Sequence, residues 1–505
     1  MEWTLGNILP HAAQRFGDKI ALVFQGQEFS FRELDTLSSR LASGLQKLGV
    51  TTGDRVTLYS VNCWEWVVSY YAIHKLGAVA NPINVMLTPD EVAYVANDCG
   101  AKVILASADK GDALASVRER CPIEHIIVFS DVVPNGVIRF ADVLSSGESS
   151  FLVAIVAPES LCTIGYTSGT TGRPKGAMLS HRAVLTSTAM TATLHMRTAD
   201  DVGVSALPCS HVYGNVVLNG AMWYGMKLVL IQKFSEHEVF EAIRHHKATI
   251  FDGVPTMYMY LLAHPDRQQY DTSSLQRCTV GGQTMPVAKI QQCEAEFGCP
   301  LLELWGMTEL AGVATTHPLY GQNRHGSIGL AIPGIECRIA DTDDPTRSLP
   351  PEEVGEILVR GSIVMLGYYG NDEATKEAIG ADGWLRTGDL GRMDKDGYFY
   401  VVDRKKDLII TGGFNVYPAE LERVVAAHPA VAMVAVGSQQ DEVKGEVAKA
   451  YIVLKPGMTA TAEDVLSFCR EHLAAYKMPR SIQFVDHLPK TSTGKLMRRM
   501  LKTLD

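Results

Sequence analysis

Tyr166-Thr167-Ser168-Gly169-Thr170-Thr171-Gly172-Arg173-Pro174-Lys175-Gly176 is the stretch on which the fold of this chain is decided. Within eleven positions it holds four small hydroxylated residues, three glycines and one lysine, so little of it could build a core. Glycine lets the backbone bend until successive N–H groups point into one concavity. Ser and Thr hydroxyls add donors, and a lysine supplies a point charge for a polyphosphate. The composition suits a nucleotide loop, although a polar surface turn between two apolar segments would read the same way. Walker A spacing is not met, because Lys175 is followed by Gly176. The stretch is either a turn or a different kind of phosphate loop, and the flanking sequence has to decide.

Outward from it, strand and helix patterns alternate. On the N-terminal side, Ser30 and Glu33 form a capping-box signature, and Leu34, Leu37, Leu41, Leu45 and Leu48 follow at helical spacing until Gly49. Residues 55–59 and 102–106 are short, apolar and β-branched, as buried parallel strands are. On the C-terminal side come a strand pattern at 228–231, a helix pattern near 235–246, and strands at 249–251 and 277–280. Strand–helix units in series predict an α/β protein. From about 320 to 400 glycine- and proline-punctuated short strands predict a small β-rich subdomain. The charge cluster Asp403-Arg404-Lys405-Lys406-Asp407 then separates a last stretch with helix and strand patterns of its own. Residues 405–505 hold 14 basic and 11 acidic side chains, while the whole chain carries a formal charge of −10. The expected organisation is a large α/β domain over 1–404 containing the β-rich subdomain, followed by a small, mildly basic α+β domain over 405–505.

At 505 residues more than one domain is expected, and 46% hydrophobic with 20% charged residues is the composition of an ordinary globular protein. The net negative charge, without a basic run, speaks against nucleic acid as partner. Met1-Glu2-Trp3-Thr4 lacks a basic n-region, and no apolar run reaches membrane-spanning length. The ten cysteines contain no Cys-x-x-Cys pair, which disfavours a zinc site and a disulfide framework. A cytoplasmic place is the expectation.

Three further stretches carry chemistry. Glu303-Leu304-Trp305-Gly306-Met307-Thr308-Glu309 sets a hydroxyl beside a carboxylate after an apolar run; Gly383-Trp384-Leu385-Arg386-Thr387-Gly388-Asp389-Leu390-Gly391 sets one aspartate between glycines. Pro489-Lys490-Thr491-Ser492-Thr493-Gly494-Lys495 places a lysine after a hydroxylated run. Taken singly, Asp389 could cap a turn, Glu309 a helix, and Lys495 could be one surface cation in a basic tail with Arg498, Arg499 and Lys502. Taken together and in order, the four stretches closely resemble the adenylate-forming superfamily of acyl-CoA synthetases, firefly luciferase and peptide-synthetase adenylation domains, over essentially the whole chain.

The resemblance implies roles at matching positions. Thr167, Ser168, Gly169, Thr170, Thr171 and Lys175 would hold the β- and γ-phosphates of ATP. Gly281, Gly282 and Gln283, with Glu303, Leu304, Trp305, Gly306 and Met307, would surround adenine. Thr308 would contact the α-phosphate and Glu309 would ligate Mg2+. Asp389 would bond the ribose, Arg404 would assist at ribose or phosphate, and Lys495 would be the catalytic lysine. Lys406 falls at the family's hinge, and Gly412, Gly413 and Asn415 where the coenzyme A tunnel is lined. His211 and Tyr213 match the border of the acyl carboxylate; His211 read alone is sooner a structural histidine. Val216 and Trp305 join the acyl pocket. Trp305 stands where many relatives carry Tyr, so the ring is kept and the phenol lost.

A carboxylate attacking the α-phosphorus of ATP needs no general base, being ionised at pH 7, but two anions must be brought together. The absence of aspartate from 209–216 argues against an amino-acid substrate, and Val212, Val216, Leu218 and Trp223 are expected to make an apolar wall. The expectation is an AMP-forming ligase for a hydrophobic acid, fatty in the first place and aryl in the second, with coenzyme A or a carrier protein as acceptor. A monomer or homodimer is expected.

Overall fold

The computed structural model describes residues 3–118, 120–167, 174–411, 414–441, 445–490 and 496–504. By proximity the chain divides into two units, Met1–Glu336 with Val359–Leu385, and Cys337–Leu358 with Arg386–Asp505. Residues 386–404 group with the C-terminal hundred residues, whereas the sequence reading cuts the chain at 404/405. Strands Leu385–Met393 and Phe399–Arg404 pair as a hairpin, and Asp403 accepts a hydrogen bond from the Ala419 N–H at 2.7 Å.

The first unit holds two large sheets. In the nine-stranded sheet the neighbours run Leu330–Ala331, Gly312–Thr316, Leu301–Met307, Arg277–Gly281, Ile250–Gly253, Val202–Ser205, Lys227–Leu230, Ile20–Phe24, Gln27–Ser30. Its middle is parallel, and antiparallel strands close both edges. The eight-stranded sheet runs Gly367–Tyr368, Lys175–Ser180, Leu161–Thr167, Val79–Pro82, Arg55–Tyr59, Ala101–Ser107, His125–Phe129, Ile138–Arg139. Residues 55–59 and 101–107 are buried parallel neighbours, as their β-branched runs require. The helix Phe31–Lys47 starts at the Ser30/Glu33 capping box and buries Leu34, Leu41 and Leu45.

The second unit takes in most residues of a four-stranded sheet ordered Ile335–Ala340, Gly355–Gly361, Leu385–Met393, Phe399–Arg404. A five-stranded sheet built on the hairpin Val431–Asp441/Gly445–Leu454 packs with the helices Pro418–Ala426 and Ala462–Arg470 around one apolar cluster containing Leu421, Val425, Ile452 and Val465. This is the expected α+β texture.

Candidate active site

In α/β sheets ligand-handling residues gather where parallel strands end. Strand Arg277–Gly281 ends at the Gly281–Gln283 stretch, and its parallel neighbour Leu301–Met307 runs into a single 3-10 turn, Thr308–Leu310. The turn reverses the chain through Ala311 and Gly312, both at positive φ, into the antiparallel strand Gly312–Thr316. Gly306 is required there. A Cβ on it would lie 1.7 Å from the Gly312 carbonyl oxygen, so no side chain fits between the two strands.

Strands Leu161–Thr167 and Lys175–Ser180 pair antiparallel, and Thr167 opposite Lys175 is the last pair before the loop. Ser168, Gly169, Thr170 and Thr171 lie outside the described residues. The hairpin approaches the Thr308 turn closely, since a Cβ on Gly165 would come within 2.7 Å of Thr308 Cγ2. Glu309 is buried, and one carboxylate oxygen accepts a hydrogen bond from the Tyr368 hydroxyl at 2.9 Å. The Lys175 ammonium lies over the same tyrosine ring, 5.3 Å from its centroid. Burial, and secondarily the neighbouring Glu309 carboxylate, push the Tyr368 phenol well above its ordinary range, so it is a donor at physiological pH.

Among the described residues no cluster of three or more His, Cys, Asp or Glu side chains could cage a metal by itself. A single buried carboxylate beside a hydroxyl fits Mg2+, an ion that keeps waters and is held largely by substrate phosphates.

Glu303 belongs to the expected adenine stretch, yet its side chain is buried and accepts from the Gly326 N–H at 2.8 Å. Desolvation raises its carboxyl to about 8, the Gly326 hydrogen bond offsetting this in part. Leu304 is buried against Gly281, where a Cβ would meet it at 2.3 Å, so it packs on the neighbouring strand of the same sheet. Trp305 is buried too. Gly282 is exposed and Gln283 partly so, at the end of their strand.

His211 caps the helix Val212–Tyr224, its Nδ1 accepting from the Tyr213 N–H at 3.3 Å. That contact places the ring proton of the neutral imidazole on Nε2. The loop before it is pinned by Asn62, which accepts from the Cys209 N–H at 2.8 Å and donates to Leu207 and Ile231 carbonyls at 3.0 Å. Two side chains of this helix turn into the interior. The Tyr213 hydroxyl is committed to the core, 2.6 Å from Thr279 Oγ1, which donates to Asp252; Asp252 in turn pairs with the buried Arg197 guanidinium. And Leu218 does not share the wall with Val212, Val216 and Trp223: at 100° per residue it lies far round the helix, fully buried. Val216 does line up with the reversed strand, touching the space beside Gly312. Trp223 stacks on Trp3 at 5.6 Å.

In the second unit Asp389 and Arg404 are register partners across the hairpin, and Arg404 Nε lies 3.0 Å from the buried Asp389 carboxylate. Glu356 accepts from the Gly388 N–H at 3.0 Å and pairs with Lys405 at 3.4 Å. Lys406 is exposed in the one-turn 3-10 segment Lys405–Asp407. Asn415 lies exposed on strand Phe414–Val416; Gly412, Gly413 and Lys495 lie outside the described residues. Arg498 is no tail cation: it grips Glu422 at 2.6 and 3.1 Å and Asp407 at 3.1 Å, with Asp403 at 3.7 Å. Burial alone would lower its proton affinity, but these carboxylates raise it above an ordinary guanidinium.

Sequence reasoning did not find Tyr368, Asn62, Asp252 or Glu356. Tyr368 belongs to the plain repeat Gly367-Tyr368-Tyr369-Gly370, and nothing local distinguishes which tyrosine turns inward.

The family model for AMP-binding enzymes matches residues 9–369, and that for the AMP-binding enzyme C-terminal domain matches 420–495. A long-chain-fatty-acid–CoA ligase of Bacillus subtilis is 36% identical over 99% of this chain and 94% of its own length. An indoleacetate–CoA ligase of Aromatoleum aromaticum is 35% identical over 96% and 95%. Among solved structures, an anthranilate CoA ligase in complex with anthranoyl-AMP superposes with a TM-score of 0.93 at 31% identity, covering 100% of this chain and 97% of that one. With the sheet ends, the Lys175–Tyr368–Glu309 group and the Asp389–Arg404 pair in place, the chain belongs to the AMP-binding enzyme family and is an ATP- and Mg2+-dependent, AMP-forming acyl-CoA ligase.

Proposed function

We propose that the acid this ligase activates is an apolar monocarboxylate, a fatty acid in the first place. One observation carries the reading: the helix capped by His211 sets the Val216 side chain against the reversed strand at Gly312, with Val212 one turn earlier on the same face, and no acidic side chain occurs from 209 to 216 to meet a substrate ammonium. The similarity to the long-chain-fatty-acid–CoA ligase of Bacillus supports it. An aryl acid is the second reading, supported by Trp305 and by the indoleacetate and anthranilate enzymes.

In the roles we assign, Thr167 to Thr171 and Lys175 bind the β- and γ-phosphates, while Gly281–Gln283 and 303–307 surround adenine through backbone and apolar faces. His211 holds the acid's carboxylate through Nε2–H, Thr308 orients the α-phosphate, and Asp389 with Arg404 serves the ribose. Mg2+, when bound, supplies charge neutralisation for the departing pyrophosphate. Lys495 stabilises charge between carboxylate and α-phosphate oxygens. Turning about Lys406 then exchanges it for the thiol route past Gly412, Gly413 and Asn415. Coenzyme A is the acceptor, with an acyl carrier protein as the alternative to test. A cytoplasmic enzyme fits ten cysteines without paired spacing, and a monomer or homodimer is the assembly proposed.

The test is pyrophosphate release across a panel of C4–C18 fatty, aryl and amino acids, each with coenzyme A and with a phosphopantetheinyl carrier. Fatty acids should lead in kcat/KM with coenzyme A. A lead for amino acids would overturn the reading, and a lead for the carrier would move it to the alternative acceptor.

A further inference from the structure

The segment 365–369 lies between two parts of the nucleotide machinery and is bonded to both. The Met365 N–H donates to the Glu309 carbonyl at 2.9 Å; the Leu366 and Tyr369 N–H groups donate at 2.8 Å to Met178 and Gly176, on the strand that leaves the phosphate loop. Tyr368 opposite Ala177 completes this edge pairing. The segment is fixed from outside as well. Its Tyr368 N–H donates to Thr375 Oγ1 at 2.8 Å, and Gly367, at φ 133°, leaves room for that threonine where a Cβ would meet it at 2.8 Å.

From this anchored backbone the Tyr368 side chain reaches both charged groups. Its hydroxyl donates to one oxygen of Glu309, and its ring lies under the Lys175 ammonium. A carboxylate tethered through one oxygen keeps the other directed, and its rotamer freedom is removed before any ligand arrives. The π face likewise restricts a lysine whose long side chain would otherwise keep its rotamer freedom.

We propose that Tyr368 is a positioning residue for the adenylation half-reaction, setting the metal-binding carboxylate of Glu309 and the phosphate-binding ammonium of Lys175 in one fixed relation. This rests on the reading of Glu309 as the Mg2+ carboxylate and Lys175 as the phosphate lysine. The hydroxyl serves the carboxylate and the ring serves the ammonium, so two substitutions separate them.

The experiment uses the full chain with a non-hydrolysable ATP analogue. Free Mn2+ is counted by electron paramagnetic resonance in wild type, Tyr368→Phe, Tyr368→Leu and Glu309→Gln, beside analogue affinity without divalent cation. Losing a hydrogen bond to a charged group should weaken Mn2+ binding in Tyr368→Phe by about tenfold, with metal-free analogue binding unchanged. The Mg2+ concentration for half-maximal pyrophosphate release should rise in step. Tyr368→Leu should add a loss of roughly threefold in metal-free analogue binding. If Glu309→Gln weakens Mn2+ binding and Tyr368→Phe does not, the positioning role is wrong while the Glu309 reading stands. If Glu309→Gln leaves Mn2+ binding unchanged, the Glu309 reading falls and takes the proposal with it. A Tyr368→Phe enzyme that merely melts earlier, with wild-type Mn2+ affinity, also overturns it.

Discussion

Replacing Glu303 with Gln should make the first unit gain stability over wild type as the pH rises. The carboxyl is held at about 8 against an ordinary 4.5, chiefly by desolvation. At about 1.4 kcal/mol per pH unit, that difference corresponds to at most about 5 kcal/mol. The sign comes from proton binding. Between pH 4.5 and 8 the unfolded chain has released this proton and the folded protein still holds it. The folded state thus binds more protons and stability falls as pH rises, levelling off above about 8. Gln keeps an acceptor for the Gly326 N–H and cannot ionise, so this contribution to the slope disappears.

Urea unfolding at pH 5, 6, 7 and 8 reads the effect selectively. All six tryptophans, at 3, 64, 66, 223, 305 and 384, belong to the first unit, so their fluorescence follows that unit. The stability of Glu303→Gln minus that of wild type should grow by roughly 1 kcal/mol per pH unit over this range. A difference that stays flat, or that shrinks with rising pH, refutes the account of a desolvated carboxyl.

Tyr213→Phe removes a hydroxyl that serves the Thr279–Asp252–Arg197 network, so it should cost about 1–2 kcal/mol of stability and leave the KM for the acid within about twofold; a large KM change at unchanged stability would give the hydroxyl a part at the acyl pocket. Arg498→Met leaves Glu422, Asp407 and Asp403 without their common cation and should destabilise the second unit by about 3–5 kcal/mol. Limited proteolysis within 386–505, with an unchanged tryptophan melt, checks it. Lys495→Ala should abolish ATP–pyrophosphate exchange yet still thiolate supplied acyl-adenylate; exchange at the wild-type rate rejects the assignment. Lys406→Pro locks φ near −65°, a value a 3-10 turn accepts, and should spare exchange while blocking thioester formation. Equal loss of both half-reactions speaks against the hinge.

Where periodicity or capping is local, sequence and structure agree. The Ser30 box, the leucine ladder behind it and the β-branched runs at 55–59 and 102–106 are decided by near neighbours and by burial on both sheet faces. The four motifs were legible for a related reason: glycines, hydroxyls and isolated charges stand out against apolar strands. Side-chain direction was not legible. Tyr213 and Leu218 are ordinary members of an apolar helix, and only the sheet behind that helix, carrying Thr279 and Asp252, draws the tyrosine hydroxyl inward. Arg498 reads as one of several tail cations until Glu422 and Asp407, 76 and 91 residues earlier, close on it.

By itself the sequence determined the α/β class and the order of the chemical stretches, because each rests on residues close together in the chain; the reaction was implied by the family those stretches together resemble. Only the tertiary structure decided that Lys175, Glu309 and Tyr368 form one group. Those residues are separated by more than fifty positions at each step. They meet because an edge strand at 367–368 pairs with the strand leaving the phosphate loop while Met365 bonds the turn at Glu309. Strand pairing across such distances leaves no period in the sequence.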